Sequence, residues 1–153
     1  MPKVLIVHHT VSPATAEVHE AAKAAFELDE LSSVEVMSRP ALVASVVETL
    51  EADAVILLTP VNIGYLSGAM KHYFDQIYYP CLEATKGLPF AAVLHSNLDA
   101  SGALRALAAI TTGMQWSQVA EPLVIDGAID AKIKEQITEV AGTVGAYAAG
   151  MMD

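Results

Sequence analysis

The stretch Ala54-Val55-Ile56-Leu57-Leu58-Thr59-Pro60-Val61-Asn62-Ile63-Gly64-Tyr65-Leu66-Ser67-Gly68 decides the fold. Its first five residues are apolar throughout, as a strand covered on both faces should be. Thr59-Pro60 is expected to stop that strand, because proline has no N–H to give a central ladder. A mixed polar and apolar loop then runs to Ser67, which suits the N-cap of a helix with Met70, Phe74 and Ile77 on one face. Pro80 ends or kinks that helix.

The same alternation repeats on either side. Val4 to Val7 is a second fully apolar run, followed by Val18, Ala21, Ala22 and Ala25 at helical spacing. Val34 to Met37 reads as a strand, with a short helix after it through Val43, Val46, Val47 and Leu50. Pro89 to Leu94 is the next strand. Asp99 or Ser101 then caps a helix carrying Leu104, Leu107 and Ala108, closed by Gly113. The last strand lies within Val119 to Ile125, and after the Asp126-Gly127 turn Ile133, Ile137, Val140, Ala141, Val144 and Ala148 line a final helix. Five strand-and-helix units with right-handed crossovers give an α/β fold, a doubly wound five-stranded parallel sheet with helices on both faces; 2-1-3-4-5 is one of its two common orders.

Composition bounds the function. The 153 residues are 54% hydrophobic and 17% charged, enough apolar material for a large core, and the length fits one domain over 1–153. Eight Lys and Arg against eighteen Asp and Glu give −10, the wrong sign for phosphate backbones, which excludes nucleic acids and anionic membrane surfaces as partners. Mean hydropathy is +0.43, yet the uncharged stretch from Ala54 to Met70 is interrupted by Pro60, Asn62 and Gly64. It falls short of the roughly 20 apolar residues a span needs. Val4 to Val7 is also too short for a signal-peptide core of roughly 7–15 residues. With a lone cysteine, Cys81, this gives a cytoplasmic expectation.

In a doubly wound sheet ligands bind beyond the carboxyl ends of the strands. The loop after the first strand offers the hydroxyls of Thr10, Ser12 and Thr15 around Pro13 and Ala14, at a helix start whose N–H groups favour an anion. A phosphate monoester fits that chemistry; Ser12 also reads simply as a helix cap with Pro13 at the first helical position. The loop after the third strand, Pro60-Val61-Asn62-Ile63-Gly64, carries no charge and suits a flat, largely apolar ring, glycine letting backbone approach closely. It also reads as an ordinary loop with Ile63 and Leu66 packed inward. His95, Ser96 and Asn97 begin the third such loop.

These residues resemble a known family. Thr10-x-Ser12-x-x-Thr15 is similar to the phosphate loop of flavodoxins, with Pro13-Ala14 where flavodoxins carry Gly-Asn. The run Thr59-Pro60-x-Asn62-x-Gly64-x-x-Ser67-Gly68-x-Met70-Lys71-x-x-x-Asp75 resembles the signature of NAD(P)H-dependent FMN reductases and related quinone reductases. The resemblance implies a flavodoxin-like fold. It implies FMN held noncovalently, its phosphate on Thr10, Ser12, Ala14 and Thr15. The isoalloxazine would lie between Pro60, Val61, Asn62, Ile63 and Gly64 on one side and His95, Ser96 and Asn97 on the other. NADPH or NADH would be the transient co-substrate, and a quinone, flavin or similar small molecule the electron acceptor. A flavodoxin-type electron carrier serving a basic redox protein is the alternative, for which the acidic surface is apt.

Other chemistries find less support. No GxGxxG or GxxxxGK[ST] segment is present, and Gly64-Tyr65-Leu66-Ser67-Gly68 has the wrong spacing for a nucleophile elbow. His8, His9, His19, His72 and His95 show no metal-ligand spacing, so no metal is expected. No general acid or base is assigned, since a flavin would carry the chemistry. Tyr73, Phe74, Tyr78 and Tyr79 form a helix face in the core or at a dimer contact, and the apolar composition gives an expected homo-oligomer.

Overall fold

The computed structural model describes residues 1–152. Five parallel strand positions form the sheet: β1 (Lys3–His8), β2 (Glu35–Pro40), β3 (Ala54–Asn62), β5 (Pro89–His95) and an outer position shared by β6 (Ser117–Gln118) and β7 (Leu123–Ile125). The order is β2-β1-β3-β5-β6, with β7 also on β5, which is the expected 2-1-3-4-5 arrangement. A two-residue strand, β4 (Tyr65–Leu66), adds antiparallel to the end of β3.

Side-chain alternation along the strands divides the core in two. Leu5, Val7, Val55, Leu57, Phe90, Ala92 and Leu94 face α2 (Val46–Glu51), α3 (Gly68–Cys81) and α4 (Ser101–Met114). Val4, Ile6, Ala54, Ile56, Leu58, Ala91 and Val93 face α1 (Pro13–Ala25) and α5 (Ala131–Ala148). The central strands are therefore apolar at every position because both faces are covered. Tyr73, Phe74 and Ile77 are buried in the first layer, while Tyr79 is 82% exposed; the core reading of this helix holds for all but its last aromatic. No helix among the described residues is long and apolar enough to cross a membrane.

Several boundaries differ from expectation. Strand β3 passes Thr59-Pro60 and runs to Asn62. The His9 N–H donates to the Leu58 carbonyl, so Leu58, and Pro60 two residues on, face the β1 side. Strand β1 ends at His8 opposite Leu58, and the missing proline N–H therefore costs no ladder bond. The last strand is split: Val119 still donates to Phe90, but the chain leaves the ladder until Leu123, just past Pro122, which has no N–H to give. Helix α2 starts only at Val46, because the Val43 and Ala44 amides are turned back onto the Pro40 carbonyl. Helix α3 takes Pro80 into its last turn and ends one residue later. Helix α4 runs through Gly113, where an added Cβ would meet the Tyr78 hydroxyl at 2.6 Å. The left-handed residue that ends it is Gln115. Ala100 occupies the N-cap position, and Asp99 Oδ1 accepts the Ser101 N–H at 3.1 Å.

Candidate functional site

The carboxyl ends of β1, β3, β5 and β7 surround a cleft of about 530 Å³. Val11, Ser12, Pro13 and Ala14 form one wall, Pro60, Val61 and Asn62 another, and His95, Ser96 and Asn97 a third; Gly127 and Ala128 complete it. Eight of the residues expected in a site thus line one cavity, within the usual range of roughly 300–1,000 Å³ for small-molecule sites. No Lys, Arg, Asp or Glu is among them.

The first loop is tightly tied. Ser12 caps α1 by accepting the Thr15 N–H at 3.1 Å, and Thr15 Oγ1 accepts the Val11 and Ser12 N–H groups at 3.0 Å each. Thr15 is 7% exposed, and it lines a small recess of about 10 Å³ with His9, Thr10, Thr59 and His95. That is room for about one water molecule. Thr10 also lies on this inner side, its Oγ1 2.7 Å from His8 Nδ1. Two of the three expected phosphate-loop hydroxyls, Thr10 and Thr15, therefore line this recess and not the cleft, and Ser12 stands on the cleft wall.

The second loop is a tight hairpin. Asn62 pairs with Tyr65 across Ile63 and Gly64, whose φ values are +53° and +71°. Two successive positive φ values make this a type I′ turn. Gly64 takes that conformation without strain, whereas Ile63 is β-branched and strained there. Ile63 is wholly exposed at the tip, and neither it nor Gly64 lines the cleft. Ser67 and Thr59 splice the hairpin to α3: their hydroxyl oxygens lie 2.8 Å apart, and Ser67 Oγ accepts the Met70 N–H at 3.2 Å. Lys71 and Asp75 pair with each other at 2.7 Å on the exposed face of α3.

The third loop is fixed from outside. His95 Nε2 lies 2.8 Å from the Gly127 carbonyl oxygen. The Ser96 hydroxyl closes a turn by donating to the Leu98 carbonyl at 2.6 Å and accepting its N–H at 3.1 Å. Val11, Pro13, Gly127 and Ala128 are the lining residues that the sequence reading passed over. The last two follow the fifth strand, where the Asp126-Gly127 turn was their only signal.

Behind the first loop His8 stacks on His19, with ring centroids 3.8 Å apart. Burial, with smaller contributions from His19, Lys23 and His9, lowers His8 from its ordinary 6.5 to about 4. Burial likewise lowers His19. Both rings are therefore neutral at pH 7. No group of three or more His, Cys, Asp or Glu among the described residues is arranged to hold a metal ion.

The sequence matches no protein-family model and no curated protein. Solved structures match closely in shape. Rubredoxin oxygen:oxidoreductase from the anaerobe Desulfovibrio gigas superposes with a TM-score of 0.82 at 18% identity, over 100% of this chain and 38% of its own. The chain thus spans little more than a third of that protein's length. A flavodoxin from the domain Archaea gives 0.80 at 17% identity over 96% of this chain and 99% of its own. The flavodoxin, WrbA-like protein from Agrobacterium tumefaciens gives 0.78 at 16% identity, covering 99% and 100%. With the strand order and two-sided helix layers already described, these likenesses show that the chain has the flavodoxin-like fold.

Proposed function

We propose that the protein is a cytoplasmic, FMN-binding oxidoreductase that uses NADPH or NADH to reduce a quinone, a flavin or a similar small molecule. The observation that carries this reading is the meeting of three uncharged loops on one cleft at the switch point of the sheet, with the start of α1 in one wall. The donor set fits FMN. Ser12 and the Ala14 N–H, which has no intrahelical acceptor at the second helical position, face a phosphate, and Thr10 and Thr15 shape the loop behind them. Pro60, Val61 and Asn62, with His95, Ser96 and Asn97 opposite, offer an apolar slot with backbone groups for a ring edge, and the Ile63-Gly64 turn sets the position of that wall.

When bound, FMN supplies the redox chemistry, accepting hydride and passing electrons on. The chain's own contribution is binding and orientation. The capping box of Ser12 and Thr15 holds the phosphate wall in one conformation, and the His95 to Gly127 contact holds the opposite wall. Val11, 61% exposed, adds an apolar side chain to the phosphate wall. Assembly into a homodimer belongs to the same reading. The exposed apolar side chains of Leu42, Val43, Val47 and Leu50 support it.

A second reading, an electron carrier without NAD(P)H activity of its own, is favoured by the net charge of −10, which steers encounters with a basic redox protein. Mixing the FMN-loaded protein with NADPH and an artificial quinone separates the two. Rapid NADPH consumption without a partner reductase supports the enzyme. Consumption only after a reductase is added overturns it in favour of the carrier.

A further inference from the structure

The split outer strand leaves a second hollow, on the α4 side of the sheet and away from the cleft. Its pairing with β5 stops at Gln118 and resumes at Leu123. Beside that gap lies a cavity of about 350 Å³, within the usual range of roughly 300–1,000 Å³ for small-molecule sites. Phe90 and Ala92 of β5 and Leu107 and Ala108 of α4 line it, and the two alanines are too small to fill it. It shares no lining residue with the cleft.

The two ends of this cavity differ in chemistry. Phe90, Ala92 and Leu107 are buried at its inner end, where the Thr111 hydroxyl already donates to the Leu107 carbonyl at 2.8 Å. That end takes an apolar group. The mouth is exposed and carries the Glu121 carboxylate, the one charged side chain in the lining, which forms no ion pair among the described residues. Thr111 also stands in the last turn of α4, the end of a helix that carries partial negative charge. We propose that the cavity is a second binding site, for a compact aromatic amine whose ring packs against Phe90 and whose ammonium pairs with Glu121. The ring gains from burial beside another aromatic, and an ammonium donates to a carboxylate in a charge-assisted hydrogen bond. An acidic ligand would meet Glu121 and the helix end with the wrong sign. This site goes beyond the flavin reading and stands whether or not the cleft binds FMN.

The test is calorimetric titration of the full chain with phenethylamine, neutral phenethyl alcohol and anionic phenylacetate, with tryptophan fluorescence recorded alongside. Trp116 is the one tryptophan of the chain, its ring centroid 5.9 Å from that of Phe90, so its emission should change as the cavity fills. One phenethylamine should bind per chain, about tenfold tighter than the alcohol, the scale of one hydrogen bond to a charged group, with phenylacetate weakest. Glu121→Gln should bring the amine down to the level of the alcohol and leave the alcohol unchanged. Ala108→Leu, at an exposed position of α4, should weaken both, and FMN should leave the affinity for the amine unaltered. No saturable binding of the amine, binding untouched by Ala108→Leu, or displacement by FMN overturns the site. Equal affinity for amine and phenylacetate, or no response to Glu121→Gln, overturns the assignment to a cation. Loss of amine binding as the chain dimerises at higher concentration gives the hollow to a second copy instead.

Discussion

The Gly64 carbonyl oxygen occupies the space that a side chain at position 102 would need: a Cβ built on Gly102 would stand 2.4 Å from it. The hairpin beside the cleft is thus braced against the first turn of α4, and only a residue without Cβ permits the approach. Gly102→Ala should push the hairpin outward, destabilising the fold by about 1–3 kcal/mol and weakening FMN binding. Gly142→Ala, on a helix with open space around the added Cβ, is the control and should bind FMN as wild type does. Thermal melts and fluorescence titration of both variants check this.

Ile63 holds φ at +53° with no packing in return, since its side chain is fully exposed. Asn-Gly is the preferred pair for a type I′ turn, so Ile63→Asn should stabilise the protein by roughly 0.5–1 kcal/mol. Urea denaturation with an unchanged slope would measure it. A loss of stability would mean that the isoleucine side chain makes a contribution beyond the turn.

Ser12 serves the fold and the proposed phosphate at once. Its side chain accepts the Thr15 N–H in the capping box of α1, so Ser12→Ala should cost about 1 kcal/mol of stability. The same change should weaken FMN by roughly 1–3 kcal/mol and leave riboflavin almost unaffected. Equal loss for both ligands would assign Ser12 to capping alone.

The buried His8 also makes stability depend on pH. Its folded value is about 4 against an ordinary 6.5, so between these values the unfolded chain binds more protons. Stability therefore rises with pH across that window: it is fully present above about 6.5 and is lost as pH falls toward 4. The facing groups His9, His19 and Lys23 act in the same direction. The expected loss is of order 2–3 kcal/mol. His8→Phe, which keeps a ring against His19, should flatten the dependence in denaturation series at pH 7 and pH 5.

Most of this architecture was legible because two-sided burial leaves a direct mark on sequence. Val4 to Val7 and Ala54 to Leu58 could be read as central strands from apolar runs alone, and Ser12 and Ser67 as helix caps from their side chains, whereas the cap expected at Asp99 or Ser101 falls on Ala100. What could not be read depends on partners distant in sequence. Pro60 stays in its strand only because β1 has already ended, and Gly113 is a glycine inside its helix because Tyr78 leaves no room for a Cβ there. Of the site residues expected in the loops after the central strands, eight line the cleft, whereas Thr10, Thr15, Ile63 and Gly64 do not. Gly127 and Ala128 were missed because the split outer strand obscures which loop follows it. The inward turn of Thr10 and Thr15 depends on His8 and on loop amides that no spacing rule reports.

The central claim is that the cleft binds FMN through its phosphate as well as its ring. The most direct measurement is a visible-absorbance titration of the purified protein with FMN, with riboflavin run in parallel. The account predicts saturable, one-to-one binding of FMN with a shifted flavin spectrum, and affinity for riboflavin at least about tenfold lower. Absence of FMN binding, or equal affinity for the two flavins, would contradict it.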